Sequence, residues 1–269
     1  MTMLGELITD DLDEQCRRDE LRVALQYLIE TENVTIAFQP IIEISSGDCI
    51  GVEALSRFPH AFGRPDHLFA QATSVGLGLD LERLAIQQAW HALEQLHPDQ
   101  FLAINVSPDA LLELASRAQE HADLPLDQLV VEITEQTVVE CYQDLREVIA
   151  PLRAQGLRIS VDDAGAGYAS LHHIVELRPD FIKIDRSFVD GLADDHALRV
   201  VVAAFVRLSL DLGATVVAEG VERPADLAAL RDLGVDAAQG YLLGRPSIEM
   251  CDLTGWASLP SRRDINLVR

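Results

Sequence analysis

Acidic and amide side chains recur directly after short apolar runs of this sequence. The densest example is Asp162 and Asp163, which follow the apolar run 157–161 and precede Gly165 and Gly167. A short β-branched run closed by turn signals is typical of a buried strand. Neighbouring residues of a strand point to opposite faces, so we expect one carboxylate to point inward and the other sideways. The alternative is a polar turn in which an aspartate caps the following helix.

Eight strand-like runs can be counted, and each one ends at residues that could do chemistry. These residues are Gln39, Glu53, Asn105, Glu132, Asp162, Asp163, Lys183, Asp185, Glu219 and Gln239. Any one of them alone could be a helix cap or a solvated turn. An open two-layer sheet would spread the whole set along an edge, whereas a closed barrel would bring it onto one small floor.

Helical periodicity indicates the elements that must position these side chains. Helical patterns separate most of the eight runs, among them 80–96, a helix from Pro108, and 195–212 before Gly213. This alternation predicts an α/β fold, a modified TIM (β/α)8 barrel. The first two runs flank a turn at 45–48 and look like a hairpin, so one strand near the start should be antiparallel. Active sites of such barrels lie at the carboxyl ends of the strands.

Five or six carboxylates in one barrel mouth would repel each other strongly. At ~5 Å and an effective dielectric constant of ~20, each like-charged pair costs roughly 3 kcal/mol. The acids must therefore take up protons, spread apart or bind cations. Carboxylates with an asparagine amide are hard oxygen ligands that suit Mg²⁺ or Mn²⁺ rather than zinc, and no histidine stands at a strand end. Asp162 and Asp163 could bridge two ions about 3.5–4 Å apart, an arrangement that fits hydrolysis of a phosphate ester.

Two basic residues are candidates for a catalytic or substrate-binding role beside these acids. Lys183 is the only cation among the strand-end residues, so it could orient the attacking water or neutralise charge in the transition state. It could equally form a structural salt bridge to Asp185 or Glu219. Arg57 follows Glu53 closely and could contact a substrate phosphate, although a surface arginine is the commoner case.

Composition excludes several classes of function. The 269 residues carry 21 Lys and Arg against 44 Asp and Glu, a formal charge of −23, which argues against a nucleic-acid polymer as partner. A small phosphate substrate would need local cations. No apolar run is long enough to span a membrane and no signal peptide is recognisable, so we expect a cytoplasmic protein without a membrane partner. The cysteines at 16, 49, 141 and 251 are widely spaced and indicate reduced thiols.

Domain organisation is predicted to be simple. The segment 12–32 has an apolar stripe on a charged helix, so we expect residues 1–32 to be a helical extension packed on the main domain. The main domain should cover 33–260 and be followed by a tail at 261–269. No further domain is recognisable in these residues, so we expect a single unit that stands alone or is cut from a longer protein.

Eight segments in order resemble the EAL-domain family of cyclic-di-GMP phosphodiesterases, across about residues 34–247. They are Phe38-Gln39-Pro40-Ile41, Glu53-Ala54-Leu55, Asn105-Val106-Ser107, Glu132-Ile133-Thr134-Glu135, the loop from Asp162 to Tyr168, Ile182-Lys183-Ile184-Asp185, the segment from Val217 to Glu222, and Gln239-Gly240-Tyr241-Leu242. A single tripeptide would be weak evidence, whereas eight ordered segments are specific.

This resemblance implies hydrolysis of one phosphodiester bond of cyclic di-GMP, giving linear pGpG, through a water activated by two Mg²⁺ or Mn²⁺ ions. It implies that Glu53, Asn105, Glu132 and Asp162 bind the first ion, and that Asp162, Asp163 and Glu219 bind the second. Lys183 would contact the nucleophilic water and Glu219 would be the general base, so that Lys183, Glu219 and Glu53 are the implied catalytic residues. Substrate contacts would come from Gln39, Arg57, Asp185 and Gln239, and Glu135 would anchor the loop after Asp162.

The chain departs from the family pattern at three positions, none of them a ligand. Ala164 and Ala166 replace the usual Phe and Thr of the loop, and Ser56 replaces a leucine. These changes favour an alternative hypothesis, a weakly active or inactive EAL-fold receptor for cyclic di-GMP or a protein-docking module. A third hypothesis is a two-metal phosphohydrolase acting on another phosphate ester. The family often dimerises beside this loop, so the resemblance also implies a homodimer.

Overall fold

The computed structural model of the chain describes residues 3–116, 125–134, 139, 141–165 and 168–249. Side chains are described from residue 14 onward, apart from those of residues 168 and 169. Two compact units are distinguished, Met1–Ile36 with Ser56–Trp90, and Ala37–Leu55 with His91–Arg269. The predicted boundaries at 32 and 260 stay predictions.

Eight strands and eight α-helices make up the regular structure of the described residues. The strands are β1 Thr35–Glu43, β2 Cys49–Arg57, β3 Phe101–Asn105, β4 Leu129–Ile133, β5 Arg158–Ala164, β6 Phe181–Ile184, β7 Thr215–Ala218 and β8 Ala237–Ala238. The helices are α1 Met3–Glu30, α2 Pro65–Ser74, α3 Gly78–Trp90, α4 Pro108–Ser116, α5 Tyr142–Arg153, α6 Tyr168–Leu177, α7 His196–Leu212 and α8 Pro224–Leu233. Short 3₁₀ turns lie at His60–Phe62, Leu93–Gln95, Leu126–Gln128 and Arg186–Phe188.

The strands close into a barrel in the order β1 to β8, which confirms the predicted fold class. From β2 to β8 every neighbouring pair is parallel. Strand β1 runs antiparallel to β8, with Ile42 opposite Ala238, so the predicted antiparallel strand near the start is confirmed. Because β1 is reversed, its early residues lie at the same end of the barrel as the carboxyl ends of the other strands.

The helix signals of the sequence are largely confirmed, with one difference of length. Helix α7 begins after Asp195, whose side chain accepts hydrogen bonds from the N–H groups of Ala197 and Leu198, and ends at Gly213 in the left-handed conformation. Helix α4 starts at Pro108 as expected. The predicted helix 80–96 is shorter, because α3 ends at Trp90 and a 3₁₀ turn follows.

The unit formed by residues 1–36 and 56–90 is helical in its described part. In α1, Leu25 and Leu28 are fully buried, while Val23 and Tyr27 are about two-thirds exposed. Arg18 of α1 donates a hydrogen bond to the carbonyl of Ser74 at the end of α2. No helix among the described residues is long and apolar enough to cross a membrane.

An apolar layer fills the amino end of the barrel interior. It is formed by inward-facing residues of six strands: Ile41, Phe101, Ala103, Val130, Phe181, Val217 and Ala237. Gly51 makes room for this layer, because a Cβ at that position would lie 2.7 Å from the ring of Phe101. Side chains of a strand face the same side every second residue, so the next inward positions lie one level closer to the carboxyl end.

Candidate metal centre

That next level contains the polar residues predicted from the sequence. Each stands two residues beyond a member of the apolar layer: Asn105 after Ala103, Glu132 after Val130, Lys183 after Phe181, Glu219 after Val217 and Gln239 after Ala237. Gln39 stands two residues before Ile41, because β1 is reversed. The alternation of the strands therefore brings residues from six strands together at one end of the barrel.

Lys183 lies at the centre of this group and is almost completely buried. Its Nζ is 2.7 Å from Glu219 Oε1, 3.0 Å from Glu132 Oε2, 3.2 Å from Asp162 Oδ1 and 3.3 Å from Glu53 Oε2. An ammonium group has three hydrogens, so four carboxylates share three donors. Of the two salt bridges considered from the sequence, the one to Glu219 is present, whereas Asp185 accepts from the backbone N–H of Ser187.

Lys183 is also the only lysine of the chain; the other 20 basic residues are arginines. The sequence interpretation overlooked this signal. A lysine ammonium is a compact point charge, whereas a guanidinium is a planar fork, so the two are not interchangeable in a crowded pocket. The one compact cation of the chain thus lies where four carboxylates converge.

Asp162 and Asp163 both contribute to the centre because β5 is irregular there. Val161 pairs with Ile182 and Ala164 with Ile184, so the two aspartates form a bulge opposite a single residue of β6. Asp163 has a φ of 53°, and its N–H donates to Asp162 Oδ1 at 2.9 Å. The strand predicted to end at residue 161 thus continues to Ala164, and carboxylate oxygens of both aspartates lie within 4.8 Å of one from Glu219. A bulge re-aims a side chain that a regular strand would turn outward.

The acids fall into two groups that share Asp162. Carboxylate oxygens of Glu53, Glu132 and Asp162 lie within 4.8 Å of one another, and so do those of Asp162, Asp163 and Glu219. Asn105 adds an amide whose Nδ2 donates to Glu53 Oε1 at 3.1 Å and to Glu132 Oε2 at 3.4 Å. Hard oxygen donors in this number fit a divalent cation of the Mg²⁺, Mn²⁺ or Ca²⁺ type.

The pKa values of these groups are shifted from their usual values in different directions. Burial raises the pKa of Asp162, and it raises that of Glu132 and of Glu219 well above the usual range, with repulsion from neighbouring carboxylates adding to the effect. Burial acts on Glu53 too, but the charge of Lys183 and hydrogen bonds from Gln239 and Asn105 outweigh it and lower its pKa. Burial would lower the pKa of Lys183, but the four carboxylates raise it well above its usual value. The ammonium therefore stays charged.

Gln39 and Gln239 lie beside Glu53. Gln239 Nε2 donates to Glu53 Oε2 at 2.7 Å and to Gln39 Oε1 at 3.0 Å. Arg57 ends β2 and donates to the carbonyl of its neighbour Ser56, so its predicted substrate contact stays a prediction. Glu135, the predicted loop anchor, lies outside the described residues, as does Ala166.

The turn after the aspartates is contacted by Ser170 and Phe188, two residues that sequence interpretation did not single out. Gly165 donates its N–H to Ser170 Oγ at 3.1 Å and has a φ of 100°. A Cβ at Gly165 would lie 2.6 Å from the ring of Phe188, so this ring packs directly on the turn. Ala164 is completely buried in the apolar cluster that Phe188 packs against. The contact between Phe188 and Gly165 is seen only in the structure, because no periodicity in the sequence predicts it.

Comparisons with known proteins agree with this geometry. The family model described as "EAL domain" matches residues 19–246. The chain is 32% identical over 234 residues to the bifunctional diguanylate cyclase/cyclic di-GMP phosphodiesterase MucR of Pseudomonas aeruginosa, covering 82% of this chain and 34% of MucR. It is 30% identical over 244 residues to the probable cyclic di-GMP phosphodiesterase PdeB of Escherichia coli, covering 87% and 46%. The chain thus spans about a third to a half of these relatives.

Solved structures give the same match. The MucR phosphodiesterase in complex with cyclic di-GMP superposes with a TM-score of 0.74 at 31% identity, covering 85% of this chain and 97% of that one. A Klebsiella pneumoniae BlrP1 complex with manganese and cyclic di-GMP gives a TM-score of 0.69 at 33% identity, covering 80% and 56%.

Proposed function

Because the chain belongs to the EAL domain family, we propose that it is a metal-dependent phosphodiesterase that hydrolyses cyclic di-GMP to linear pGpG. The observation that carries the proposal is the pair of acid groups joined by Asp162 at the carboxyl end of the barrel. Relatives named as cyclic di-GMP phosphodiesterases, and a relative solved with manganese and cyclic di-GMP, support the choice of substrate and of metal type.

Two Mg²⁺ or Mn²⁺ ions would be held by the two groups. Glu53, Asn105, Glu132 and Asp162 would bind the first, and Asp162, Asp163 and Glu219 the second. Asn105 would have to turn its amide over, because its Nδ2 faces the carboxylates and a cation takes the oxygen. When bound, such ions supply positive charge to the phosphate and lower the pKa of water.

The side chains themselves supply the proton chemistry. Hydrolysis adds the oxygen of water to phosphorus and breaks one bond from phosphorus to a ribose oxygen, which takes up a proton from solvent and leaves as a hydroxyl. Glu219 is the proposed acceptor of the water proton, because burial and repulsion from neighbouring carboxylates raise its pKa above the usual range, which strengthens its affinity for a proton. Lys183 holds Glu219 at 2.7 Å and offers a fixed positive charge to the phosphate oxygens.

Substrate contacts are proposed for Arg57 and Asp185. The net charge of −23 repels a doubly charged cyclic dinucleotide, so a cation such as Arg57 is needed to draw it in. Asp185 is only partly buried and caps the 3₁₀ turn Arg186–Phe188, which leaves carboxylate acceptors available to a guanine N–H.

The test is incubation of the pure chain with cyclic di-GMP and Mn²⁺, with separation of pGpG by chromatography. Wild type should release pGpG, EDTA should stop the reaction, and Glu53→Ala should lower turnover by about 10²–10³-fold or more, as expected when electrostatic stabilisation is removed. Binding of cyclic di-GMP without any pGpG would contradict the phosphodiesterase and favour the receptor hypothesis. Faster hydrolysis of a simple phosphodiester than of cyclic di-GMP would favour another ester as substrate.

A homodimer through the outer face of α6 is part of the proposal. Leu171 and Val175 lie one helical turn apart on α6 and are 52% and 63% exposed, and Val148 of α5 is also exposed. Helix α6 begins at residue 168, shortly after β5 ends at Ala164. A partner bound to α6 would therefore affect the position of the metal ligands Asp162 and Asp163.

A charge in this apolar face should break the dimer. Val175→Asp should shift the protein to monomers in light scattering, because a buried unpaired carboxylate is costly at an interface. Leu210→Asp is the matched control, since Leu210 is an equally exposed apolar residue of α7. Equal masses for Val175→Asp and wild type would refute this interface.

A further inference from the structure

Gln39 and Gln239 form a hydrogen-bonded relay that ends on Glu53. Gln239 Nε2 donates to Glu53 Oε2 at 2.7 Å and to Gln39 Oε1 at 3.0 Å, and Gln39 Nε2 donates to the carbonyl of Gly244 at 3.0 Å. All three side chains are buried, with less than a tenth of their surface exposed. The family resemblance implies substrate contacts for both glutamines, yet their hydrogen atoms point to the protein.

The relay starts from a fixed part of the backbone. Ser247 and Phe38 exchange two main-chain hydrogen bonds of 2.7 and 3.0 Å, which tie the segment around Gly244 to β1. The N–H of Gly244 donates to the carbonyl of Gly240 at 2.9 Å. Gln39 therefore receives its orientation from main-chain atoms and passes it to Gln239.

The geometry leaves Gln239 one orientation only. An amide nitrogen carries two hydrogens, and its two acceptors, on Gln39 and Glu53, use both. Glu53 is then held at each oxygen by a different amide, Oε1 by Asn105 and Oε2 by Gln239. When Asn105 turns its oxygen toward a cation, its hydrogen bond to Oε1 is lost, and the hydrogen bond from Gln239 to Oε2 remains to keep the carboxylate in its plane.

We propose that Gln239, backed by Gln39, is a positioning residue that holds the Glu53 carboxylate in the plane in which it binds a divalent cation; this rests on the proposed function. Partners that hydrogen-bond a metal ligand typically change metal affinity or activity by about 10–100-fold when they are lost. Gln239 Oε1 is buried and has no hydrogen-bond partner among the described residues. If Gln239 contacted the substrate, it would have to do so through this oxygen.

Calorimetric titration with Mn²⁺, without substrate, tests the positioning role. Gln239→Met keeps the size of the side chain and should weaken Mn²⁺ binding by about 10–100-fold. Gln39→Met should weaken it less, and the double variant should bind no more weakly than Gln239→Met, because both act through one carboxylate. Gln128→Met is the matched control: that glutamine binds backbone carbonyls of His97 and Gln100 and should leave Mn²⁺ binding unchanged.

The Michaelis constant for cyclic di-GMP separates positioning from substrate contact. At saturating Mn²⁺, a positioning role leaves the KM of Gln239→Met within about twofold of wild type, since no ground-state contact with substrate is lost. A raised KM together with unchanged Mn²⁺ affinity would overturn the proposal in favour of a substrate contact through Oε1.

Gln239→Asn provides a second test of the positioning role in case Gln239→Met does not fold. It keeps an amide but is one methylene shorter, so it cannot reach Glu53 at 2.7 Å, and it should show the same loss of Mn²⁺ affinity. If both folded variants bind Mn²⁺ as wild type does, the positioning role is refuted. If wild type itself binds no Mn²⁺, the proposed function fails as well, and the two failures are thereby distinguished.

Discussion

Each end of the barrel interior holds a cationic side chain, and the two have opposite surroundings. At the amino end, the guanidinium of Arg158 lies 5.0 Å from the ring centre of Phe101 and 5.5 Å from that of Phe181. At the carboxyl end, the ammonium of Lys183 lies 2.7–3.3 Å from oxygens of four carboxylates. One cation is thus stabilised by aromatic faces and the other by anions.

This difference appears in the two pKa values. Burial lowers the pKa of Arg158, and the charges of Asp180 and Asp127 offset this only in part. Burial would lower the pKa of Lys183 too, but its carboxylates reverse the direction. The amino end is therefore built for packing, and the buried Nε of Arg158 has no hydrogen-bond partner among the described residues. The carboxyl end concentrates charge that only the lysine, protons or metal ions can balance, which is typical of a functional site.

Lys183→Met should produce the largest change, because it leaves the carboxylates without their common cation. Loss of one partner from a buried ion cluster typically costs about 3–5 kcal/mol. We expect a reduction of this size in the free energy of unfolding, measured by urea denaturation in EDTA. Mn²⁺ should restore more stability to this variant than it adds to wild type, since the ion supplies the missing charge.

Lys183→Arg is the control for this prediction. It keeps the charge but replaces a point donor by a planar fork, so it should recover part of the stability and not the activity. Wild-type stability of Lys183→Met in EDTA would show that protons alone balance the acids. Lys183 is the only lysine of the chain, so an amine-specific reagent can modify only its ammonium group and the N-terminus. The mass of the modified protein then measures how well the fold protects Lys183 from the reagent.

Phe101→Leu should produce an intermediate change confined to the amino end. Phe101 is buried and packs on Phe181 with ring centres 5.0 Å apart, so a smaller side chain leaves a cavity and costs about 1–3 kcal/mol. Mn²⁺ affinity, measured by calorimetry, should not change, because the metal ligands lie at the next level of the barrel. A weaker Mn²⁺ affinity at unchanged stability would contradict the separation of the two ends.

Much of the division between an apolar amino end and a polar carboxyl end of the barrel could be predicted from the sequence, because it depends on periodicity. The apolar runs and the polar residue after each one predict strands, and parallel strands place their carboxyl ends together. Asn105, Glu132, Lys183 and Glu219 therefore come together where they were expected. The antiparallel start followed from a local signal, the turn of the opening hairpin.

Other features could not be predicted, because they depend on tertiary contacts. The bulge at Asp162 and Asp163 inserts one residue opposite β6, and nothing in either strand alone reports the mismatch. The packing of Phe188 on Gly165 joins residues on separate elements. The relay from Gly244 through Gln39 to Glu53 needs β1 to lie beside β8, which periodicity does not specify.

Arg158→Met should produce the smallest change and sharpens the contrast between the two cations. The methionine keeps an apolar stem on Phe101 and Phe181, and the substitution removes mainly a cation–π contact worth about 0.5–2 kcal/mol. Its side-chain hydrogen bond goes to the backbone carbonyl of Asp127, and the nearby Asp180 keeps its salt bridge to Arg153 when Arg158 is replaced. Urea denaturation should therefore show a loss well below that of Lys183→Met, and added Mn²⁺ should raise the stability of Arg158→Met as much as it raises that of wild type. An equal loss for the two variants would mean that the aromatic faces, like the carboxylates, depend on their cation for stability.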